Sequence, residues 1–315
     1  MKIYPIDNTA AGQRIDRYLT KLFPLAGKDF LQKMLRKKNI KVNDAKTIAG
    51  YILTEGDVVK VFFSDETIEK FSGRRSQTRT VFPDKAVDCF DTPVYEDDDL
   101  IVINKPAGLL SQPDASGKIS VSDVIPAYVP TDSATFHPAP ANRLDLNTSG
   151  ILLIPRNYST QKQIAAAIRE DRVIKEYLAL VDGVIEREQH LTHTLVKNTK
   201  ANTVKVSDDA TGKQAYLELI PVMSIGETTL IILRLHTGRS HQIRVQCAAI
   251  GHPIIGDPKY GDGTLNTVYR NAYGLKHQLL HSRHYAIPDL NYDFIAPVPD
   301  DFKKVLEGLG YPEVN

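Results

Sequence analysis

The sequence predicts an α+β protein with a small amino-terminal unit and a larger second unit. Residues 1–63 carry two amphipathic helix patterns followed by short strand patterns. The apolar run at residues 151–154, which ends at Pro155, is typical of a buried strand. From residue 89 onward the strand patterns arrive in groups and do not alternate regularly with helices, which disfavours a parallel α/β sheet.

The composition indicates a globular protein without a membrane span. The 315 residues are enough for more than one domain. The formal net charge is only +1, so a nucleic-acid site must rest on local basic clusters. No run approaches the ~20 apolar residues of a membrane helix, and no apolar signal region is visible. We therefore expect a cytoplasmic protein in which Cys89 and Cys247 are free buried thiols.

The second helix of the amino-terminal unit is strongly basic. Its N-cap is predicted at Asp29, and strand patterns follow at residues 40–43 and 58–63. A basic helix of this kind suits RNA phosphates, although a solvated basic face without a partner explains the pattern about equally well. The basic residues concerned are Lys33, Arg36, Lys37 and Lys38.

The segment after this unit is polar and shows no usable period, which predicts a linker. Arg74, Arg75 and Arg79 within it could touch RNA, but a soluble tether needs such residues anyway. The predicted parts of the chain are residues 1–63, a linker at 64–88, a main domain at 89–306 and a carboxy-terminal tail at 307–315.

The stretch at residues 142–154 places an acidic residue in a shaped turn beside the buried strand. Asp145 follows Arg143 by two residues, and Thr148 and Ser149 can donate hydrogen bonds that keep the turn closed. Such a turn can fix one carboxylate in a cleft. An exposed Arg–Asp pair, worth under ~1 kcal/mol, is the commoner explanation of this local composition.

A strand pattern at residues 173–183 puts Lys175 and Tyr177 on one face, where they could line a polar cleft. A half-exposed edge strand would give the same pattern. We retain both interpretations at this point.

The run at residues 236–246 gathers Arg239, His241 and Arg244 at the start of a predicted helix, with Thr237 or Ser240 as its cap. Cationic groups at a helix N-terminus make a site for an anion. A zinc site is disfavoured because no acidic or cysteine partner completes a ligand set with the candidate histidines. Those candidates are His236, His241, His252, His281 and His284.

Four motifs follow one another along the chain. They are Arg-Leu-Asp-x-x-Thr-Ser-Gly from Arg143, Lys-Glu-Tyr-x-Ala from Lys175, His-Thr-Gly-Arg-x-His-Gln-Ile-Arg from His236 and Gly-Asp-x-x-Tyr-Gly from Gly256. In this order they closely resemble the RluA-type pseudouridine synthases. The turn at residues 104–108 fits the same family, and the likeness spans about residues 94–285. The pattern of residues 1–63 resembles the S4 RNA-binding domain.

The resemblance implies a mixed, mostly antiparallel sheet flanked by helices, with the active cleft across its middle. It implies an enzyme that isomerises uridine in RNA to pseudouridine without a cofactor. Family members with an S4 domain act mostly on large-subunit ribosomal RNA. Two departures, Asn142 where the family commonly has histidine and Leu146 where a charged residue is common, affect loop contacts and target choice.

The resemblance also implies roles for single residues. Asp145 is the catalytic acid residue, and Arg244 is its ion-pair partner, which favours the charged carboxylate. Tyr177 stacks on the detached uracil and helps to remove the C5 proton. Arg143 braces the space that a flipped-out nucleotide leaves. Basic residues at the cleft are expected to hold RNA, and these are Lys105, Arg239 and His241.

Two alternatives remain open. The second domain could be catalytically silent in an S4-type RNA-binding protein of ribosome assembly. The protein could instead be a hydrolase that pairs Asp145 with a second carboxylate, for which Asp257 is the only candidate. The expected partner is RNA, and the chain is expected to be a monomer with no metal site.

Overall fold

The computed structural model describes residues 1–8, 10–72, 82–129, 135–198, 203–207 and 212–314. The amino-terminal unit is a three-stranded antiparallel sheet in the order β1-β3-β2, covered by two helices. Its elements are β1 (Lys2–Pro5), α1 (Ile15–Leu22), α2 (Lys28–Arg36), β2 (Ile40–Val42) and β3 (Val58–Val61).

The apolar positions of α1 and α2 face this small sheet and form its core, as their spacing predicts. Ile15 and Leu19 of α1 pack with Leu31 and Leu35 of α2, and all four are buried. The predicted N-cap Asp29 is wrong by two residues, because the N-cap is Gly27 and Asp29 lies in the first turn. There its carboxylate complements the positive end of the helix dipole.

Two short helices flank the middle of the segment that was predicted to be a linker. Helix α3 (Asp65–Ser72) packs Ile68 into the core of the amino-terminal unit. Helix α4 (Asp84–Asp91) packs Phe90 into the main domain. The sequence analysis predicted neither helix. Arg74, Arg75 and Arg79 lie outside the described residues.

A ten-stranded mixed sheet forms the main domain, in the order β4-β5-β6-β12-β7-β11-β10-β8-β9, with β13 paired to β12. Nearly all pairs are antiparallel, and β6 and β12 are parallel. The predicted mixed, mostly antiparallel α+β fold is confirmed. The strands are β4 (Tyr95–Glu96), β5 (Leu100–Lys105), β6 (Ser149–Pro155), β7 (Ile174–Asp182), β8 (Gln189–Asn198), β9 (Thr203–Val206), β10 (Lys213–Ile225), β11 (Thr228–Leu235), β12 (Leu280–Ile287) and β13 (Tyr292–Ile295).

Helices cover both faces of this sheet, so its central strands are buried. Every residue of β6 is buried, which explains its continuous apolar sequence. Strand β7 alternates between two cores, with Leu178 on one face and Ala179 on the other. The helices are α5 (Val121–Tyr128), α6 (Tyr158–Arg169), α7 (Gln242–Ala249), α8 (Gly263–Tyr273) and α9 (Asp300–Gly308).

Asn157 caps α6 by accepting a hydrogen bond from the Thr160 N–H. Tyr311, in the predicted carboxy-terminal tail, is buried, and its hydroxyl donates to the Thr228 carbonyl. Among the described residues no helix is long and apolar enough to cross a membrane.

Candidate active site

A cleft of about 650 Å³ opens across the middle of the large sheet. Three segments that are far apart in the sequence line it: the turn before β6, the first half of β7, and the loop that leads into α7. Because β7 pairs with β11 on one side and β12 on the other, it is an interior strand. The edge-strand alternative is therefore wrong, and Lys175 and Tyr177 line the cleft.

The turn that carries Asp145 is held by contacts to other segments. Thr148 Oγ1 accepts a hydrogen bond from Gln278, and Ser149 Oγ pairs with Nδ1 of the buried His281. The side chains of Thr148 and Ser149 thus tie the turn to the region of β12 and do not close it on itself. Ser111 Oγ adds a further bond by donating to the Leu144 carbonyl.

Arg244 is the centre of the charged groups in the cleft. It lies in the first turn of α7, and its side chain is only 6% exposed. Nη1 donates to Asp145 Oδ2 at 2.8 Å, while Nε and Nη2 donate to the two oxygens of Asp257 at 2.7 and 2.8 Å. The structure therefore brings Asp145 and Arg244 together as the resemblance implied.

Asp257 is the counter-ion that makes a buried arginine possible. Its side chain is 1% exposed and also accepts from the N–H groups of Lys259 and Tyr260. Burial raises the pKa of Asp257, but these hydrogen bonds and the Arg244 charge hold it below its usual value. Since Asp257 stays ionised and enclosed, it cannot serve as the second acid of a hydrolase.

Tyr177 lies on the cleft face of β7, partly exposed to the cleft. Burial raises its pKa to about 12, and the neighbouring charge of Asp145 acts in the same direction. The phenol is therefore neutral near pH 7. A neutral aromatic ring at the wall of an open cleft is suited to stacking on a planar base.

Lys105 is not at the surface, which contradicts the prediction that it contacts RNA. It is fully buried at the end of β5, and its Nζ donates to the carbonyls of Pro106, Leu109 and Leu146 at 2.9, 2.8 and 3.3 Å. Burial lowers its pKa to about 7, opposed by the charge of Asp145. Through these hydrogen bonds Lys105 links the turn after β5 to the turn that carries Asp145.

The loop before α7 is fixed by Gln242 and not by the predicted caps Thr237 and Ser240. Gln242 Oε1 accepts from the Arg239 N–H and from Thr237 Oγ1, and Gln242 Nε2 donates to the Tyr216 carbonyl. The N-cap residue is His241, in the left-handed region with φ +53°. These bonds hold the loop over the cleft.

The predicted RNA-contact residues other than Lys105 are at or near the surface. Arg143 and Arg239 are exposed at the cleft, and His241 is partly exposed there. Arg169, at the end of α6, lines the same rim and was not predicted, because its position in a helix gave no signal of its own. The four basic residues of the α2 region are all exposed: Lys33, Arg36, Lys37 and Lys38.

A carboxylate held by a buried arginine beside a neutral tyrosine, in an open cleft, is an arrangement expected of an enzyme active site. The family described as RNA pseudouridylate synthase matches residues 99–249. Ribosomal large subunit pseudouridine synthase C of Rickettsia bellii is 32% identical over 308 residues, covering 95% of this chain and 98% of the relative. The enzyme of the same name from Vibrio vulnificus is 31% identical over 314 residues, covering 98% and 96%.

The chain therefore belongs to the RNA pseudouridylate synthase family, and the prediction of an enzyme that isomerises uridine in RNA is confirmed. Two solved human structures resemble it. Human RNA Pseudouridylate Synthase Domain Containing 4 has a TM-score of 0.62 at 22% identity, covering 73% of this chain and 97% of that one. Human RNA Pseudouridylate Synthase Domain Containing 1 has a TM-score of 0.57 at 25% identity, covering 70% and 88%.

Proposed function

We propose that this protein converts specific uridines of large-subunit ribosomal RNA to pseudouridine, with Asp145 as the reacting carboxylate. The observation that carries the proposal is the ion pair of Asp145 with a buried Arg244 that Asp257 already holds. The names of the relatives from Rickettsia bellii and Vibrio vulnificus support the choice of RNA. The reaction is an isomerisation without a net change of oxidation state, so it consumes no electron carrier.

The reaction breaks the N1–C1′ bond of uridine and forms a C5–C1′ bond after the uracil has turned. N1 gains a proton, and C5 loses its own. Asp145 reacts as a carboxylate, whether at C1′, at C6 or at the C2′ proton. Arg244 holds this carboxylate in the cleft through their ion pair, and Tyr177 stacks on the uracil while it is detached.

A uridine inside folded RNA must leave its stack to reach Asp145, at a cost of a few kcal/mol. Arg143, exposed at the cleft beside Asp145, braces the vacated space, and Arg239 and Arg169 hold the flanking phosphates. The amino-terminal unit acts as an S4-type RNA-binding domain through the exposed basic residues of α2. Its phosphate contacts position the RNA without reading its sequence.

The test is tritium release from RNA labelled at uracil C5, with unmodified large-subunit and small-subunit ribosomal RNA compared. We expect release from the large-subunit RNA, and no release with Asp145→Asn, which keeps the size of the side chain. Asp293→Asn, at a largely exposed carboxylate, is the matched control and should stay active.

If Asp145→Asn binds RNA like the wild type but is inactive, the role of Asp145 is supported. Release from small-subunit RNA alone would overturn the substrate class. Binding without release from either RNA would favour the non-catalytic S4-type protein of ribosome assembly.

A further inference from the structure

His241 has an environment that differs from that of the arginines around it. It lines the cleft at the N-cap of α7, and its backbone is held in the left-handed region, which side chains rarely adopt. Nδ1 of its ring lies 2.7 Å from the hydroxyl of Tyr260, and the two rings meet edge to face. The imidazole is therefore oriented by a partner outside the loop.

The hydroxyl of Tyr260 can serve as a donor to His241 Nδ1. The Val204 N–H of β9 donates to the same oxygen at 2.8 Å. With that N–H bound, a hydroxyl proton directed at Nδ1 makes this ring nitrogen the acceptor. A neutral imidazole that accepts at Nδ1 carries its own proton on Nε2.

Burial, more than the surrounding charges, keeps His241 neutral near pH 7. Burial lowers its pKa, and the cations of Arg244 and Lys259 act in the same direction. Asp145 and Asp257 oppose them, and the net direction is downward.

We propose that His241 is a neutral hydrogen-bond donor to the flipped-out nucleotide and not a cation that contacts phosphate. Tyr260 holds Nδ1 as an acceptor, and Nε2–H is then the donor that binds an oxygen of the uracil or ribose in the cleft. This inference rests on the proposed function for its ligand. Tyr260 is a positioning residue in this arrangement, and its contact with Val204 ties the donor to β9.

The first test uses the free protein and needs no activity. In the ¹⁵N spectrum of histidine-labelled protein near pH 7, the His241 signals, assigned by their loss in His241→Gln, should show an unprotonated Nδ1 and a protonated Nε2. Tyr260→Phe keeps the ring but removes the hydroxyl, and it should raise the share of the Nδ1-protonated tautomer relative to the wild type. A doubly protonated ring, or a proton on Nδ1, would overturn the proposal.

The second test separates the two ring nitrogens in catalysis. Glutamine at position 241 keeps a donor near Nε2, whereas asparagine keeps a polar group near Nδ1 only. In tritium release we expect His241→Gln to retain activity within about threefold and His241→Asn to lose about tenfold or more, the size expected for one lost donor. Equal loss in the two variants contradicts a role of Nε2–H.

The third test measures whether His241 contacts RNA phosphate as a cation. Each phosphate contact adds about 0.9 to the slope of log K against log salt for a duplex. His241→Gln should leave the slope unchanged, whereas Arg239→Gln should reduce it by about one. A reduced slope in His241→Gln would show a cation. If the wild type releases no tritium, the proposed function fails, while the ¹⁵N result still decides the state of the ring.

Discussion

The carboxylate of Asp257 accepts two hydrogen bonds from Arg244 and thereby directs the remaining Nη1 of Arg244 to Asp145. Arg244 is thus shared between one enclosed carboxylate and one at the cleft. The enclosed partner offsets part of the cost of burying the guanidinium. The cleft carboxylate is then free to react without being the only counter-ion of a buried charge.

Asp257→Asn should destabilise the protein and slow the reaction. The amide cannot accept both hydrogen bonds, and breaking a buried ion pair by removing one partner costs roughly 3–5 kcal/mol. Urea unfolding and kcat in tritium release measure the two effects. Asp44→Asn breaks the partly exposed pair with Lys60 and should cost under ~1 kcal/mol. Equal urea midpoints for Asp257→Asn and the wild type would refute this account.

Lys105→Met should lower kcat while leaving the affinity for RNA unchanged. Methionine fits the buried volume but cannot donate to the three carbonyls, so the Asp145 turn loses its tie to the turn after β5. Loss of preorganisation of this kind costs about tenfold or more. Filter binding across salt concentrations provides the contrast, because a direct RNA contact at Lys105 would weaken binding and lower the salt slope.

His281 should make the folded protein sensitive to acid. It is fully buried, with its ring between Ser149 and the Ala296 carbonyl, and burial lowers its pKa to about 4. Between pH 6.5 and about 4 the unfolded state binds a proton that the folded state does not bind. The free energy of unfolding should therefore fall by about 3 kcal/mol as the pH falls through this window.

Urea unfolding at several pH values measures this slope. His281→Gln should reduce it, and His190→Gln, at an exposed histidine, should not. A wild-type protein equally stable at pH 7 and pH 4.5 would contradict the assignment of a neutral buried His281.

Gly150→Ala should prevent stable folding. Gly150 has φ +117°, and a Cβ there would overlap the backbone of Ser282 on the neighbouring strand. Gly117→Ala is the matched control, since Gly117 also has a positive φ but has open space around it, and we expect a loss of about 1 kcal/mol there. Soluble yield and urea midpoints compare the two. A folded Gly150→Ala protein with near-normal stability would show that β6 and β12 can separate.

The sequence predicted those parts of the protein that show a pattern within one short stretch of residues. The apolar run of β6 and the alternating pattern of β7 predicted both strands. The family resemblance of the motifs implied that Arg244 pairs with Asp145. Helices α3 and α4 were missed because their patterns are short and are stabilised by packing against separate cores.

The site details that were missed depend on contacts between distant segments. Nothing near Lys105 in the sequence shows that its ammonium ends among the carbonyls of Leu109 and Leu146. Asp257 was considered only as a second acid, since its motif does not reveal that both of its oxygens are occupied by Arg244. The identity of a charged residue in a motif does not show whether its side chain is buried in the fold.

The parallel contact of β6 with β12 has a consequence for how the protein matures. Asp145 is synthesised long before Ser282, whose strand supports Gly150 and the turn in front of it. Chains grow at about 5–20 residues per second and fold from the amino terminus, so the nascent chain exposes the β6 edge for several seconds. We therefore expect the complete chain to leave the ribosome before it becomes active. Shortened chains that end before β12 should aggregate and remain inactive.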